Sequence, residues 1–479
     1  MKQSPIIVWF RNDLRIADNP ALSAAAKLDA PVIPLYIYDR NLRYAPGGAS
    51  RWWLHESLSV LNDRLKNIGS KLILRSGDES DIIRKLIKET NASAVYWNRR
   101  YYKPEVDTDK KLKTALSDAG INVETFNASL LREPWEIETG SGTPYRVFTP
   151  FWKKLKEAGP NRVKILPEPK KLKSPKNISS ENLKDWQLQP TNPDWADGIA
   201  EQWKPGETEA MNRLNEFLDD EIDSYSEGRD RPDKEFTSRL SPYLHFGEIS
   251  PNQIWNAVKL GIDADAFLQS AGYKFLSELA WREFSYSLLY YNPSLPKKPL
   301  RKEFTSFPWR KDTKALWKWQ RGETGYPIVD AGMRQLWQTG WMHNRVRMIV
   351  ASFLIKDLLI PWQQGATWFL DTLVDADLAN NSAGWQWVAG SGADASPFFR
   401  IFNPVTQGEK FDPHGDYVRE FVPELKDLPD KYIHSPWKAP EHVLQEAGIT
   451  LGNNYNKPIV DHAVARDRAL AGYNEIKGK

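Results

Sequence analysis

The chain has 479 residues, 41% of them hydrophobic and 27% charged, with a formal net charge of +3, so it can form two or three domains with buried cores. The absence of cysteine excludes disulfides, thiolate metal sites, iron–sulfur clusters and cysteine nucleophiles. The seven histidines lack ligand spacing, so we expect no metal site. No apolar run reaches about 18 residues, so we expect no membrane span. Because MKQSPIIVWF has no signal-peptide pattern, we expect a cytoplasmic protein.

Residues 1–130 alternate short apolar runs with amphipathic stretches. Buried parallel strands are predicted at 6–10, 32–38, 72–74, 94–97 and 123–126, and crossover helices near 50–67, 78–89 and 104–118. This alternation predicts a doubly wound parallel α/β domain. The phosphate-binding pattern G-x-G-x-x-G is absent after the first run, where RNDLRIADN follows, so a dinucleotide dehydrogenase is disfavoured.

The texture of the chain changes after residue 130. Pro, Lys, Asn and Ser dominate residues 131–204, which predicts a long connector whose basic run is a solvated face. In residues 205–479 helical periodicity prevails, as in MNRLNEFL and FLSELAWREFSYSLL, and no strand series returns. We therefore predict an all-helical C-terminal domain, larger than most domains and built around a ligand.

The helical segment FLSELAWREF contains the first candidate site residues. Glu278, Trp281 and Arg282 stand at positions i, i+3 and i+4, so the three side chains can share one face. One interpretation is a partly exposed helix with a Glu–Arg pair. The other is a ligand cavity in which Trp281 forms a flat wall and Glu278 is a desolvated acid that donates a proton or a hydrogen bond.

A second helical segment, WMHNRVRM, makes Asn344 and Met348 neighbours at i and i+4. Arg345 and Arg347 point about 200° apart on a helix. One arginine can therefore face a phosphate while the other faces an internal carboxylate. His343, taken alone, is expected to be structural.

Residues 375–404 bring acids, asparagines and tryptophans together. Asp375 and Asp377 form a D-x-D pair with no further carboxylate at ligand spacing, so ion pairing with Arg282 or Arg347 is favoured over a Mg²⁺ site. Ten of the 21 tryptophans fall between residues 281 and 387. This concentration indicates a large aromatic ligand or an electron path.

Together these segments resemble the photolyase/cryptochrome family along nearly the whole chain. WFRNDLRIADNPAL resembles the family's N-terminal signature, and WREF, TGYPIVDAGMRQL, WMHNRVRM, DADLANNSAGWQW and FRIFNPVTQGEKFD resemble its flavin-domain signatures in the same order. The resemblance implies an α/β antenna domain (1–130), a connector (131–204) and a helical domain (205–479) that binds FAD in a U-shaped conformation.

The resemblance also implies the flavin-binding residues and an electron chain. The flavin positions are Tyr225, Thr237, Ser238, Arg239, Leu240, Ser241, Phe275, Arg282, Arg347, Asp375, Asp377 and Asn381. Phe275 stands where some relatives carry Trp. Asn381 matches the residue facing flavin N5, where an amide forms a hydrogen bond without adding negative charge. Trp385, Trp362 and Trp309 match a three-tryptophan electron chain ordered from the flavin to the surface.

Within the family, the chain most resembles bacterial class I photolyases that repair cyclobutane pyrimidine dimers. Asn344 and Met348 stand where enzymes for pyrimidine–pyrimidone (6-4) lesions carry histidines. The implied reaction is light-driven electron transfer from excited FADH⁻ to the dimer, after which the ring opens and the electron returns. Trp281 and Trp387 are implied to stack on the dimer, Asn344 and Met348 to line its pocket, and Glu278 to hydrogen-bond its carbonyls.

The implied partner is damaged double- or single-stranded DNA, bound mainly through its phosphates. Arg229, Arg345, Arg400 and Gln407 match DNA-contact positions of the family. We expect a monomer without an obligate protein partner, in the cytoplasm and associated with the nucleoid.

A second, antenna chromophore is also implied. Glu105 aligns loosely with a folate-binding acid, although Pro104 replaces the Asn found beside it, so methenyltetrahydrofolate is expected, with a deazaflavin or a flavin as alternatives.

Two other functions stay open. One is a blue-light receptor of the cryptochrome type, against which Glu278, Trp281 and the absence of a long C-terminal extension weigh. The other is a helical DNA- or RNA-binding protein without photochemistry, which a colourless purified protein would favour.

Overall fold

A computed structural model of the chain describes residues 3–42 and 44–477. The strands are β1 (Ile6–Phe10), β2 (Val32–Tyr38), β3 (Ile73–Ser76), β4 (Ala94–Asn98) and β5 (Asn122–Phe126). The α-helices are α1 (Pro20–Ala26), α2 (Gly48–Asn67), α3 (Glu79–Thr90), α4 (Lys103–Asp118), α5 (Phe148–Ala158), α6 (Asp197–Gln202), α7 (Glu207–Glu216), α8 (Tyr225–Gly228), α9 (Ser241–Phe246), α10 (Pro251–Ala264), α11 (Gln269–Tyr291), α12 (Thr313–Gln320), α13 (Pro327–Thr339), α14 (Asn344–Ser352), α15 (Trp362–Thr372), α16 (Leu378–Ala389), α17 (Pro404–Phe411), α18 (Asp416–Phe421), α19 (Asp430–Ile433), α20 (Glu441–Glu446) and α21 (His462–Ile476).

The strands form a parallel sheet in the order β3-β2-β1-β4-β5. β1 is buried along its whole length and pairs with β2 on one side and β4 on the other. The chain winds outward through β2 and β3, then returns to the other side through β4 and β5. The carboxyl ends of β1 and β4 therefore flank a topological switch point, and the predicted doubly wound α/β class is confirmed.

The ends of some strands differ from the sequence prediction by one or two residues. β3 runs over Ile73–Ser76 instead of 72–74, because its register is set by backbone pairing that ends with Tyr38 opposite Ser76. Polar residues at a strand end give no apolar signal, so pairing and not side-chain pattern decides where the strand stops.

Side-chain caps set the start of two helices that carry predicted site residues. Asp377 precedes α16, and its carboxylate accepts a hydrogen bond from the backbone N of Asn380 at 2.8 Å. His343 precedes α14, and its Nδ1 accepts from the backbone N of Arg345 at 3.2 Å. Burial lowers the pKa of His343 to about 3, so the ring is neutral and able to accept. This contact agrees with the structural role expected for His343.

The described chain divides into two compact units. Unit 1 comprises Met1–Ile222 and Ser238–Pro293, and unit 2 comprises Asp223–Thr237 and Ser294–Lys479. The segment predicted as a connector and the long helix α11 both belong to unit 1, where α11 packs against α5. The predicted domains followed changes in composition, whereas the compact units follow side-chain packing.

Each unit has its own core. In unit 1, Trp9 and Trp97 pack with apolar residues of the sheet and of α3 and α4. In unit 2, Trp319, Trp362 and Trp385 are buried in one large cluster built mainly by α13 to α16. Among residues 3–42 and 44–477, no helix combines the length and the apolar character needed to cross a bilayer.

Candidate functional site

In unit 1, α11 carries four predicted site residues, Phe275, Glu278, Trp281 and Arg282, which lie in different environments. The Glu278 side chain is 27% exposed, and its Oε1 lies 3.9 Å from Lys274 Nζ. Arg282 is buried, and its Nη1 donates to the backbone O of Ser129 at 2.6 Å. The carboxylate of Glu278 therefore lies near solvent with a lysine one helical turn away, which favours the interpretation of a partly exposed helix over that of a desolvated acid.

The indole of Trp281 is stacked on one side by a residue that sequence reasoning missed. The rings of Trp281 and Phe148 lie 3.8 Å apart at an interplanar angle of 8°. Phe148 begins α5, in the segment read as a connector, and nothing in its sequence neighbourhood marks it as part of a site. With one face covered by Phe148, Trp281 can stack on a ligand only with its other face. Phe275, also on α11, packs against Phe217 at 4.6 Å.

The buried acid of α11 is Glu283, which the sequence analysis did not identify. Its Oε2 accepts from the backbone N atoms of Leu131 and Arg132 at 3.0 and 3.3 Å, and its Oε1 lies 3.7 Å from Arg282 Nη1. Burial raises the pKa of Glu283 to about 7, while Arg282 offsets part of that rise. Glu283 therefore ties the helix that carries Arg282 to the loop that follows β5.

Of the predicted flavin positions 237–241, those from Ser238 onward belong to unit 1. The backbone O of Ser238 accepts from Arg213 Nε at 3.0 Å. Arg239 adopts φ 49°, in the left-handed region that few non-glycine residues occupy. Leu240 is buried, and Ser241 begins α9. Arg213 thus fixes the backbone of this segment just before it enters α9.

In unit 2, Arg347 and Asp375 form the ion pair that the sequence suggested. Arg347 Nη1 and Nη2 donate to the two carboxylate oxygens of Asp375 at 3.1 and 2.8 Å. Arg347 Nε donates to the backbone O of Met342 at 2.7 Å. This two-point pairing fixes the plane of the buried Asp375 carboxylate. Asp377 caps α16, and the pair of Arg347 with Asp375 is one of the ion pairs that the sequence favoured.

On α16, Asn381 and Trp385 face α15. Asn381 Nδ2 donates to the backbone O of Ala366 at 3.0 Å, which leaves Oδ1 as an acceptor. The Trp385 ring packs on Phe369 at 5.0 Å. It also lies so close to Gly365 that a Cβ there would approach Trp385 Cη2 to 2.0 Å. A glycine at 365 is therefore needed for this close packing of helix and indole.

The other predicted tryptophans also belong to this part of unit 2. Trp362 is buried within the main core, and Trp309 and Trp387 are half-buried and pack against it. A further indole, Trp319, is fully buried and lies 6.2 Å from the Trp385 ring. Sequence reasoning did not single out Trp319, because a tryptophan at a helical core position carries no signal beyond hydrophobicity.

Two predicted DNA-contact arginines of unit 2 share one carboxylate. Arg345 Nη2 lies 2.8 Å from Asp230 Oδ2, and Arg229 Nε lies 4.0 Å from Asp230 Oδ1. The Arg345 guanidinium also lies 4.4 Å above the Phe411 ring, and its Nη1 is 3.9 Å from Met348 Sδ. Asp230 was not among the predicted residues, since an acid between two arginines in sequence resembles an ordinary surface charge.

The remaining predicted residues of unit 2 lie on several elements. Tyr225 is buried at the start of α8, and Thr237 ends the same short segment of unit 2. Asn344 is exposed at the start of α14, Arg400 is exposed, and Gln407 is half-buried on α17.

Glu105, the predicted antenna residue, belongs to an ion-pair network of unit 1. Glu105 Oε2 lies 4.0 Å from Arg100 Nε, while Arg100 Nη1 and Nη2 pair with Glu79 and Asp109 at 2.8 and 2.6 Å. Arg11 pairs with Asp109 at 2.9 Å. Two arginines thus face three carboxylates in this network, and the role of Glu105 in holding a chromophore stays a prediction.

Elsewhere in unit 1 lies a cavity of about 580 Å³. Trp52 and Trp203, both buried, line it together with Glu56, Asp194 and Lys204. A volume of this size matches the range in which proteins hold small organic ligands.

Comparisons with known proteins cover the whole chain. A family profile described as "DNA photolyase" matches residues 6–171, and one described as "FAD binding domain of DNA photolyase" matches residues 275–475. The chain is 54% identical to the deoxyribodipyrimidine photo-lyase of Agrobacterium fabrum, over 100% of this chain and 99% of that protein. It is 40% identical to cryptochrome-1 of Arabidopsis thaliana, over 96% of this chain and 69% of that protein.

A solved structure matches the chain over its full length, at the same sequence identity. The bacterial class III photolyase from Agrobacterium tumefaciens superposes with a TM-score of 0.97 at 54% identity, covering 100% of this chain and 99% of that one. The motifs predict a resemblance to class I enzymes, whereas this relative is of class III.

Proposed function

Because the chain belongs to the photolyase/cryptochrome family, we propose that it is a deoxyribodipyrimidine photo-lyase that binds FAD and splits cyclobutane pyrimidine dimers in light. The observation that carries the proposal is on α11. There a partly exposed carboxylate, Glu278, stands three residues from an indole, Trp281, that is backed by Phe148 on one face only. A dimer of two pyrimidines needs a flat apolar surface for its rings and a hydrogen-bonding group for its carbonyls.

The described residues fit a reduced flavin. Asn381 uses its amide NH₂ on Ala366, so Oδ1 can accept the N–H that a reduced flavin carries at N5. Trp385 Nε1 is buried without a hydrogen-bond partner among the described residues, as expected of an atom beside a ligand site. Arg347 holds Asp375 in one orientation, so this acid reaches a ligand without losing side-chain entropy on binding.

The flavin positions implied by the resemblance keep their proposed roles, including those of unit 1. Ser238–Ser241 supply hydroxyl and backbone groups for phosphates, and Arg282 and Phe275 supply flavin contacts. When bound, reduced FAD supplies the light-excited electron that opens the dimer.

The chain's own side chains recognise the lesion and stabilise the charge that develops on it. Trp281 and Trp387 stack on the dimer, Asn344 and Met348 line its pocket, and Glu278 hydrogen-bonds its carbonyls, which stabilises negative charge. A dimer is already poorly stacked in the duplex, so turning it out of the helix costs less than for an intact base.

We further propose that Trp385, Trp362 and Trp309 carry electrons from the surface to the flavin. All three pack in or against one core, which holds their rings in fixed positions. In this proposal Arg229, Arg345, Arg400 and Gln407 contact the DNA backbone. The protein acts as a monomer, in the cytoplasm and associated with the nucleoid.

We propose the cavity lined by Trp52 and Trp203 as the binding site of the antenna chromophore. Two buried indoles favour a flat aromatic heterocycle, whereas Lys204 is outnumbered at the cavity by Glu56, Asp194 and Asp197, so charge does not select the ligand. Methenyltetrahydrofolate has such a ring, and a deazaflavin or a flavin is the alternative. Mass spectrometry of the chromophores released on denaturation would distinguish them.

One experiment tests the proposed activity. The purified protein, reduced and loaded with FAD, is illuminated with blue light in the presence of an oligonucleotide that carries one thymine dimer. We expect the dimer to be converted to two thymines in light and not in the dark. Bound, photoreducible FAD without repair would favour a cryptochrome-type receptor, and a protein that retains no FAD would refute both.

A further inference from the structure

Asp230 lies beside Arg229 and Arg345, two arginines that are proposed to contact DNA. Arg231 is paired with Asp233 at 2.5 Å, and Arg347 is paired with Asp375. The Asp230 carboxylate lies 4.0 Å from Arg229 and 2.8 Å from Arg345. The charge of these three residues is therefore about +1, and it would be about +2 without the carboxylate.

Asp230 is the most exposed member of this group. Its side chain is 38% exposed, against 19% for Arg345 and 16% for Arg229. An anion that approaches from solvent therefore meets a carboxylate together with the two guanidinium groups, and like charges at such distances repel.

Asp230 is one of several groups that contact the Arg345 guanidinium. The guanidinium is also held by the Phe411 ring at 4.4 Å and by Met348 Sδ at 3.9 Å. Loss of Asp230 would thus remove the repulsion of DNA phosphates while the remaining contacts still order the Arg345 side chain. We therefore expect DNA affinity to rise and not to fall.

We propose that Asp230 is a counter-charge that weakens binding of the DNA backbone to Arg229 and Arg345, and so limits attachment to undamaged DNA. The inference rests on the proposed DNA-repair function, which assigns the two arginines to the DNA. A repair protein must leave undamaged duplex rapidly to search for lesions, and phosphate contacts are the sequence-independent part of its affinity.

The test is Asp230→Asn, measured by fluorescence anisotropy on undamaged and thymine-dimer duplexes of the same sequence over a range of salt. We expect binding to the undamaged duplex to tighten by roughly five- to tenfold at low salt, and less as salt rises. The slope of log affinity against log salt should steepen by up to about 0.9. Affinity for the damaged duplex should rise by a similar factor, since phosphate contacts are common to both.

Asp427→Asn is the matched control, because Asp427 is exposed and shares no hydrogen bond or ion pair with an arginine in residues 3–42 and 44–477. It removes the same charge and should change affinity less than twofold, in keeping with screening of distant exposed charges. Asp230→Ser repeats the test with a smaller side chain, and circular dichroism with FAD content verifies folding. Unchanged or weaker binding by both Asp230 variants would overturn the inference.

The two proposals can fail separately. Tighter binding of Asp230→Asn to plain duplex, in a protein that does not repair the lesion, would refute the repair function alone. Normal light-driven repair with an affinity equal to that of the Asp427→Asn control would refute the role of Asp230 alone.

Discussion

The contact between Gly365 and Trp385 allows a quantitative test of how α15 and α16 hold the indole. Gly365→Ala places a methyl group where the Trp385 Cη2 atom lies only 2.0 Å away. Gly384→Ala makes the same change inside α16, where no heavy atom lies within 4 Å of the new Cβ. Both positions are helical, so the two variants differ in packing and not in backbone preference.

The magnitude follows from two opposed terms. Replacing glycine by alanine inside a helix stabilises the fold by about 0.5–1 kcal/mol. Overpacking a well-filled core costs typically about 1–3 kcal/mol, and a ring that cannot rotate away lies at the upper end. We therefore expect Gly384→Ala to be stabilised by up to about 1 kcal/mol, and Gly365→Ala to be destabilised by about 1–2 kcal/mol.

The assay is urea unfolding of the FAD-loaded variants, followed by far-ultraviolet circular dichroism. Adding Trp385→Phe removes the Cη2 atom, so Gly365→Ala should cost less in that background than in the wild type. Equal midpoints for Gly365→Ala and Gly384→Ala would refute the reasoning, since they would mean that Trp385 moves aside without cost.

Three further changes test the site. Trp309→Phe should block photoreduction of oxidised flavin but spare repair by the reduced protein. The control is Trp135→Phe, which changes an exposed indole of unit 1 and should leave photoreduction intact. Normal photoreduction in Trp309→Phe would exclude Trp309 from the electron-transfer chain. Glu278→Ala should lower repair per absorbed photon more than DNA affinity, and an equal quantum yield would contradict its electrostatic role. Because burial raises the pKa of Glu283 from 4.5 to about 7, the folded protein retains a proton that the unfolded chain has lost, so wild-type stability should fall as pH rises through that window. Glu283→Gln should reduce this fall, and an identical pH profile would exclude Glu283 as its source.

Much of the site could be assigned from the sequence because its residues lie in long motifs. FLSELAWREF and DADLANNSAGWQW contain Glu278, Trp281, Arg282 and the two aspartates within single helices or helix ends. The pairing of an aspartate with an arginine was foreseen from charge, but the sequence left Arg282 and Arg347 as alternatives. The burial of these residues was not, since the same motif contains a half-exposed Glu278 and, five residues later, the buried Glu283.

The sequence by itself determined the alternation of strands and helices, the helical second half and the family, because periodicity and motifs are local properties of the chain. Tertiary structure alone decided that Phe148 backs Trp281, that Asp230 stands between Arg229 and Arg345, and that Gly365 admits the Trp385 ring. Residues in most of these contacts are separated by 20 to more than 100 positions, and only folding brings them within a few ångströms. Local patterns report which way a side chain points, whereas the partner it meets depends on how distant helices pack.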